Sequence, residues 1–181
     1  MVKTLLLAAV LTLPLAVRAQ ALSYVFDTGH TEVVFEYRLG FLSGEGGFAG
    51  VSGQVNYDAA TPEHTLVEAI VDTRTLSADL GIAAELRGGA FFDVKAHPEM
   101  RFVSGSVTAD SPERLRISGH LTIKGVSRPV RLHVRLVRRG GTLSFDASMR
   151  IRRSDFNMVG YSALVGDSVD IRIVGPLRPA P

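Results

Sequence analysis

The chain has 181 residues, with 20 Lys and Arg against 18 Asp and Glu, and no cysteine. Without thiols it can hold neither a cysteine nucleophile nor a thiolate metal site, and its core must stand without disulfides. The formal charge of +2 falls to zero once Lys3 and Arg18 are removed with an N-terminal leader, so no excess of base points to nucleic acid.

That leader is the first element. Lys3 precedes an apolar run from Leu5 to Val17 that only Thr12 and Pro14 interrupt, and Val17-Arg18-Ala19 supplies small residues at both positions that a signal peptidase reads. Residues 1–19 are therefore expected to be a secretory signal peptide, cut after Ala19 or, by the Ala19-Gln20-Ala21 spacing, after Ala21. The run is shorter than the roughly 18 residues a membrane span requires. Export to the periplasm is the resulting expectation. About 160 residues remain, enough for one domain to bury roughly two-thirds of its surface. We place that domain at 20–175 and expect residues 176–181 to form a loose tail.

Strand patterns dominate the rest of the chain. Ser23 to Asp27 begins the series, and in Glu32 to Leu39 the residues Val33, Phe35, Tyr37 and Leu39 alternate with more polar neighbours. The glycine-rich stretch Gly40 to Gly50 predicts a bulged or sharply bent hairpin, because no helix or Gly-Lys-Ser/Thr ending comes after it that would make it a phosphate loop. Val51 to Tyr57 and Thr65 to Asp72 continue the strands. From Phe102 to the end the alternation is regular: Leu115 to Ile123, Val130 to Leu136, Leu143 to Ile151 and Ser168 to Val174 each present one apolar and one polar parity. Eight or more strands with tight turns predict an all-β sandwich or closed barrel.

One region departs from this period. Leu80, Ile82, Ala83, Ala84 and Leu86 fall near helical spacing within Thr75 to Arg87, with Ser77 or Asp79 available as caps. The irregular stretch Leu86 to Phe102 comes directly after, carrying Phe91, Phe92, Asp93, His97 and Pro98. Pro98 disfavours helix at His97, so the stretch reads as a short helical lid that ends in time for Phe102 to start a strand.

Four segments taken together resemble the YceI-like family of exported, lipocalin-like proteins. They are Gly29 to Phe35, Leu86 to Phe102, Gly119 to Val130, and Arg153-Ser154-Asp155-Phe156 together with Val165 to Val169. The resemblance implies an extended eight-stranded antiparallel β-barrel whose hydrophobic lumen holds a long polyisoprenoid or similar amphiphile, such as a quinone tail, as ligand. It implies no cofactor, and it allows a homodimer. The chain departs from the family pattern at Tyr37 to Phe41, where a histidine is common.

On this basis Phe35, Tyr37, Phe91, Phe92, Phe102, Phe145 and Phe156 are expected to line the pocket, since a lipid tail asks for an apolar tube. Continued alternation from Leu143 to Ile151 also turns Arg153 inward. An inward guanidinium must be paired or face a ligand head group, and Asp155 and Asp93 are the expected partners. Asp93 and His97 lack a nucleophile or second carboxylate at catalytic spacing, and the five histidines show no metal-ligand spacing, although His120 and His133 could meet on an outer face. Charge is uneven along the chain: residues 22–113 carry 14 acids and 5 bases, residues 114–153 carry 11 bases and one acid. Arg114, Arg116, Lys124, Arg131, Arg135, Arg150 and Arg152 share the outward parity. They could form a positive wall that blocks edge pairing or docks peripherally on anionic membrane lipids. The expected function is a periplasmic binding or carrier protein without catalysis or metal. An enzyme acting on a bound isoprenoid lipid and a stress-response barrel with a self-filled core remain the alternatives.

Overall fold

The computed structural model describes residues 22–181; the expected signal peptide and both cleavage positions lie outside them. The strands are β1 (Leu22–Phe26), β2 (Glu32–Leu39), β3 (Leu42–Phe48), β4 (Val51–Tyr57), β5 (Leu66–Asp72), β6 (Ser77–Ala78), β7 (Glu99–Ser111), β8 (Arg114–Ile123), β9 (Val126–Arg139), β10 (Thr142–Arg152) and β11 (Ser168–Pro179), with one helix, α1 (Ala83–Arg87).

All pairings are antiparallel, and three pairs of strands act as single interrupted staves. β11 pairs with β2 through Ile173 opposite Val33 and then with β1 through Leu177 opposite Phe26, so β1 and β2 together form one stave broken at Asp27–Thr31. β3 and β4 form the next stave, since β3 pairs with β2 and β4 with β1. β5 and β6 form the third, paired with β4 and β3 respectively. With β7 to β11 these make a closed barrel of eight staves. Closure removes the free edges that an open sheet would expose.

Each interruption has a local cause. Gly50 adopts φ +71° between β3 and β4, a left-handed conformation that costs glycine little. Between β5 and β6, Asp72 accepts a hydrogen bond from the Arg74 amide at 2.9 Å and turns the chain through Thr73–Thr75. Beyond this break the third stave no longer meets β7. The segment from Asp79 to Pro98 leaves the wall there and folds over the end of the barrel as a lid.

Three expectations change. The glycine stretch does form a hairpin, turning at Gly40 and Phe41, but without a bulge: Leu42–Phe48 is a regular strand paired residue for residue with β2, and the bend comes after it at Gly50. The helix shrinks to five residues, and neither proposed cap serves it; Asp79 instead accepts the Tyr37 hydroxyl at 2.7 Å and the Glu45 amide at 3.0 Å. The expected loose tail is wall. Residues 176–179 complete β11, Leu177 is buried, and the Ala180 amide donates to the Ser23 carbonyl at 2.8 Å.

The outer face corrects the expected positive wall as well. Arg116 pairs with Asp110 at 2.6 Å, Arg150 with Asp170 at 2.6 Å and Arg152 with Asp155 at 2.8 Å. Lys124 sits in the β8–β9 turn, and its ammonium donates to the carbonyls of Gly89 and Asn157. Arg114 and Arg135 are opposite each other in the β8–β9 register, and Arg135 is also opposite Asp146, which Arg172 already binds at 2.6 Å. The face is thus a lattice of both signs. Period 2 placed these bases outward, but carboxylates on neighbouring strands or in the turn after β10 neutralise about half of them. His120 and His133 stand on adjacent strands four residue pairs apart in register, opposite Pro129 and Arg116, and among the described residues no group of three metal-binding side chains forms.

Because Leu177 closes the seam, replacing it with alanine is expected to lower unfolding free energy in urea by about 2–5 kcal/mol. Deleting 176–181 should destabilise further; a truncated protein as stable as the intact one would mean the seam closes without it. Hydrogen bonds from Arg74, Tyr37, Arg172 and Arg150 hold the carboxyls of Asp72, Asp79, Asp146 and Asp170 below the ordinary aspartate value of 3.8. Depressed folded-state values contribute stability above 3.8 that is lost as pH falls through the folded values. The melting temperature should therefore be flat near neutrality and decline below about pH 4, modestly for each exposed pair.

Candidate ligand-binding cavity

Inside the barrel the inward parity of every stave is apolar, yet the side chains do not fill the axis. Four aromatic rings lie flat against the wall over glycines. A Cβ on Gly46 would collide with Phe35 Cζ, one on Gly44 would stand 2.5 Å from Tyr37 Cζ, one on Gly119 2.7 Å from Phe102 Cζ, and one on Gly160 2.5 Å from Phe91 Cε2. Each ring therefore occupies the space that a side chain on the facing residue would need, and any larger residue would push it toward the axis. Glycine in a strand costs stability, and aromatic cover is how such positions are commonly compensated. Here the cover also keeps the middle of the barrel open.

The result is a cavity with about 160 Å³ of room for the centres of water-sized molecules. Phe35, Tyr37, Phe102 and Phe145 on the strands and Phe91 and Phe92 in the lid all line it, and so does Arg153. Phe35, Phe48 and Phe92 form a cluster with ring centroids 5.1–5.9 Å apart, which joins the lid to the wall. Phe145 packs edge-on against Phe26 at 5.5 Å. Phe156 is buried but stands outside the lining, and Asp93 and Asp155 do not reach the cavity.

The lid forms the roof. Asp93, with φ +47°, makes its sharp turn: its amide donates to the Gly88 carbonyl at 3.0 Å while its own carbonyl accepts from Ala96 and His97. That folding sends Leu86, Phe91, Phe92 and Val94 into the interior. Ties to three parts of the wall hold it down. The Gly160 amide donates to Ala90 at 3.1 Å, Thr73 bonds the carbonyls of Pro98 at 2.9 Å and His97 at 2.8 Å, and Lys124 bonds Gly89. Asp93 thus acts through its backbone, and among the described residues its carboxylate bonds neither Arg153 nor His97.

Arg153 is buried, as its parity required, but not for the expected reason. Its guanidinium donates to the carbonyls of Gly166 at 2.9 Å, Met158 at 2.5 Å, Gly160 at 2.9 Å and Val165 at 2.8 Å. The face of Phe91 lies 5.8 Å from its central carbon. No carboxylate is involved among the described residues: Asp155 has turned outward to Arg152. Four carbonyl dipoles offset the buried charge. The loop 153–167 is folded around this one side chain, and Asp167 fastens its base by accepting the Ser154 amide at 3.0 Å and hydroxyl at 2.9 Å.

The other polar groups on the lining are also engaged. Burial, together with the bond to Asp79, raises the Tyr37 phenol's pKa; Tyr57 donates to the Pro112 carbonyl at 2.8 Å, and Thr65 to the Pro62 carbonyl at 2.6 Å. Arg101 turns its guanidinium out to Glu68 at 2.7 Å. The lumen is an apolar space whose walls present contact area and no free hydrogen-bonding group among those described. Sequence reasoning missed Phe48, Tyr57, Met158 and Val165 on the lining. The alternation around Gly44 and Gly46 could have found Phe48, whereas Tyr37 meeting Asp79, 42 residues away, left no trace in the chain.

Arg153→Met should leave four carbonyls without a donor. We expect a loss on the order of 3 kcal/mol in urea unfolding and faster amide exchange confined to 153–167. Unchanged stability with lost ligand would assign the guanidinium to a head group instead.

Comparison with known proteins agrees with this architecture. The sequence profile of the YceI-like domain matches residues 24–175. A UPF0312 protein of Pectobacterium carotovorum is 32% identical over 167 residues, covering 86% of each chain. The crystal structure of BcnA from Burkholderia cenocepacia superposes with a TM-score of 0.76 at 27% identity, covering 84% of this chain and 98% of that one. A polyisoprenoid binding domain from Saccharophagus degradans, implicated in plant cell wall breakdown, shares the fold with a TM-score of 0.67 at 12% identity, over 88% of this chain and 99% of that one. The barrel, the lid and the profile match together place the chain in the YceI-like family.

Proposed function

We propose that this protein is exported to the periplasm and there binds and carries a long-chain amphiphile of the polyisoprenoid or quinone type, its tail inside the barrel and its roof formed by the lid. The observation that carries this reading is the axis kept open by rings laid over glycines, in a lumen whose described polar groups are all occupied. Close packing is the default for protein interiors. A cavity maintained at the expense of four strand or loop glycines is better explained by an occupant than by a self-filled core. The polyisoprenoid class is suggested by the description of the Saccharophagus neighbour. The leader-like sequence at 1–19 supports export.

Binding without chemistry is part of the proposal. A reaction on the ligand would need an acid, base or nucleophile facing it, and the lining hydroxyls and guanidinium are committed to carbonyls or to Asp79. For the same reason the head group cannot be read inside the lumen by Arg153, Asp155 and Asp93, as the spacing had suggested. It belongs at the mouth, and recognition rests on the tail.

Organic extraction of the purified protein followed by mass spectrometry should recover a prenyl-chain lipid in stoichiometric amount. A chemically altered lipid would favour an enzyme, and an empty lumen a structural barrel. Among added ligands, affinity should rise with tail length, by about 0.8 kcal/mol per buried CH₂ until the space is filled. It should change little when an alcohol head is replaced by a quinone of equal tail. Gly46→Ala, which drives the Phe35 ring inward, should reduce bound lipid.

A further inference from the structure

The lid end of the barrel carries an apolar rim. Phe41 is fully exposed, Leu42 is 57% exposed and Leu80 47%, while Val159, Tyr161 and Leu164 lie between 59% and 61%. These six side chains come from the β2–β3 turn, the start of the lid and the β10–β11 loop, yet they are drawn to one end by backbone bonds. Gly40 donates to the Leu164 carbonyl at 2.8 Å, Gly166 donates to the Arg38 carbonyl at 3.0 Å, and Asp79 donates to the Glu45 carbonyl at 3.0 Å beside Leu80. Scattered surface leucines are ordinary, but a set gathered around one opening is not.

Two of the six also hold costly backbone conformations. Leu80 has φ +54° and Tyr161 φ +47°, in the left-handed region that side chains rarely adopt. Neither is repaid by burial. Strain kept at exposed apolar positions points to a purpose outside the isolated fold. The rim is moreover continuous with the cavity: the Tyr161 ring packs 6.1 Å from Phe91, which lines the roof, and Val165 beside Leu164 lines the lumen.

We propose that this rim is a bilayer-docking surface, through which the lid end rests in the interfacial region of a membrane and the lumen exchanges its ligand without passing it through water. The inference rests on the proposed lipid-binding function, because an insoluble tail has to come from a bilayer. The residues stand at or beside the tips of separate loops, and such scattered apolar tips suit a fluid partner better than a folded one. The basic strand face is not needed, since the rim is apolar and about half of that face's bases are paired, so docking should depend on apolar insertion more than on anionic lipid.

The chain has no tryptophan, so a single introduced one reports its own surroundings. In Phe41→Trp, emission should shift to the blue and be quenched by bromolipids on vesicles of phosphatidylcholine alone as well as those containing phosphatidylglycerol. Leu66→Trp, 57% exposed at the opposite end, should do neither. Phe41→Asp with Leu164→Asp should weaken vesicle partitioning at least about tenfold while the thermal melt stays unchanged, the side chains being exposed. An unshifted Phe41→Trp, a shift seen only with anionic vesicles, or a lipid-free shift accompanied by dimerisation on gel filtration would overturn the proposal. Lipid recovered by mass spectrometry without vesicle docking would sink this inference alone. Docking by a protein with an empty lumen would sink the binding function instead.

Discussion

The architecture depends on one seam. Strand β11 must satisfy the backbone of two strands, β2 along its first half and β1 along its second, for the sheet to close. A break of five residues between them does not prevent this, because the interrupted stave runs on in the same direction after Thr31. Once the seam is made, the wall closes on itself, and the inward parities converge on one axis. Everything that concerns function is a consequence of what those parities carry.

What they carry is apolar surface with deliberate gaps. Aromatic rings normally fill space, and in an eight-stave barrel the axis is narrow enough for side chains to meet. Glycines opposite Phe35 and Tyr37, Gly119 diagonally across from Phe102, and Gly160 beside Phe91 let the rings fold back against the backbone instead. The same contacts that bury the rings therefore create the void. Packing and cavity are joined here, since a side chain at Gly46 would meet the Phe35 ring and one at Gly119 would meet both the Phe102 ring and the Val103 carbonyl.

Burying an arginine beside such a lumen invites a ligand-binding role, and the geometry argues otherwise. Arg153 gathers carbonyls from Met158, Gly160, Val165 and Gly166, so it works as the hub of the 153–167 loop. That loop in turn holds the lid through Gly160 and presents Val159, Tyr161 and Leu164 at the mouth. One buried charge thus organises the roof from below and the rim from outside. Tyr37 plays a parallel part on the other side of the mouth, anchoring Asp79 where the third stave leaves the wall.

Alternation of apolar and polar residues by itself determined the all-β class, the inward set that includes Phe35, Tyr37, Phe102, Phe145 and Arg153, and the outward bases, because side-chain direction in a strand depends only on parity. The irregular stretch around Phe91, Phe92 and Pro98 equally marked the lid. Partners were another matter. Arg153 with carbonyls rather than Asp155 or Asp93, Arg150 with Asp170, and Tyr37 with Asp79 all depend on which strands become neighbours, and parity is silent on that. The tail at 176–179 looked loose because its prolines and short length carry little pattern, yet β1 lay ready to pair with it. The open axis, too, was decided only by tertiary structure: a glycine and an aromatic on different strands are separate features in a sequence, and they become a flat wall only when cross-strand register sets one over the other.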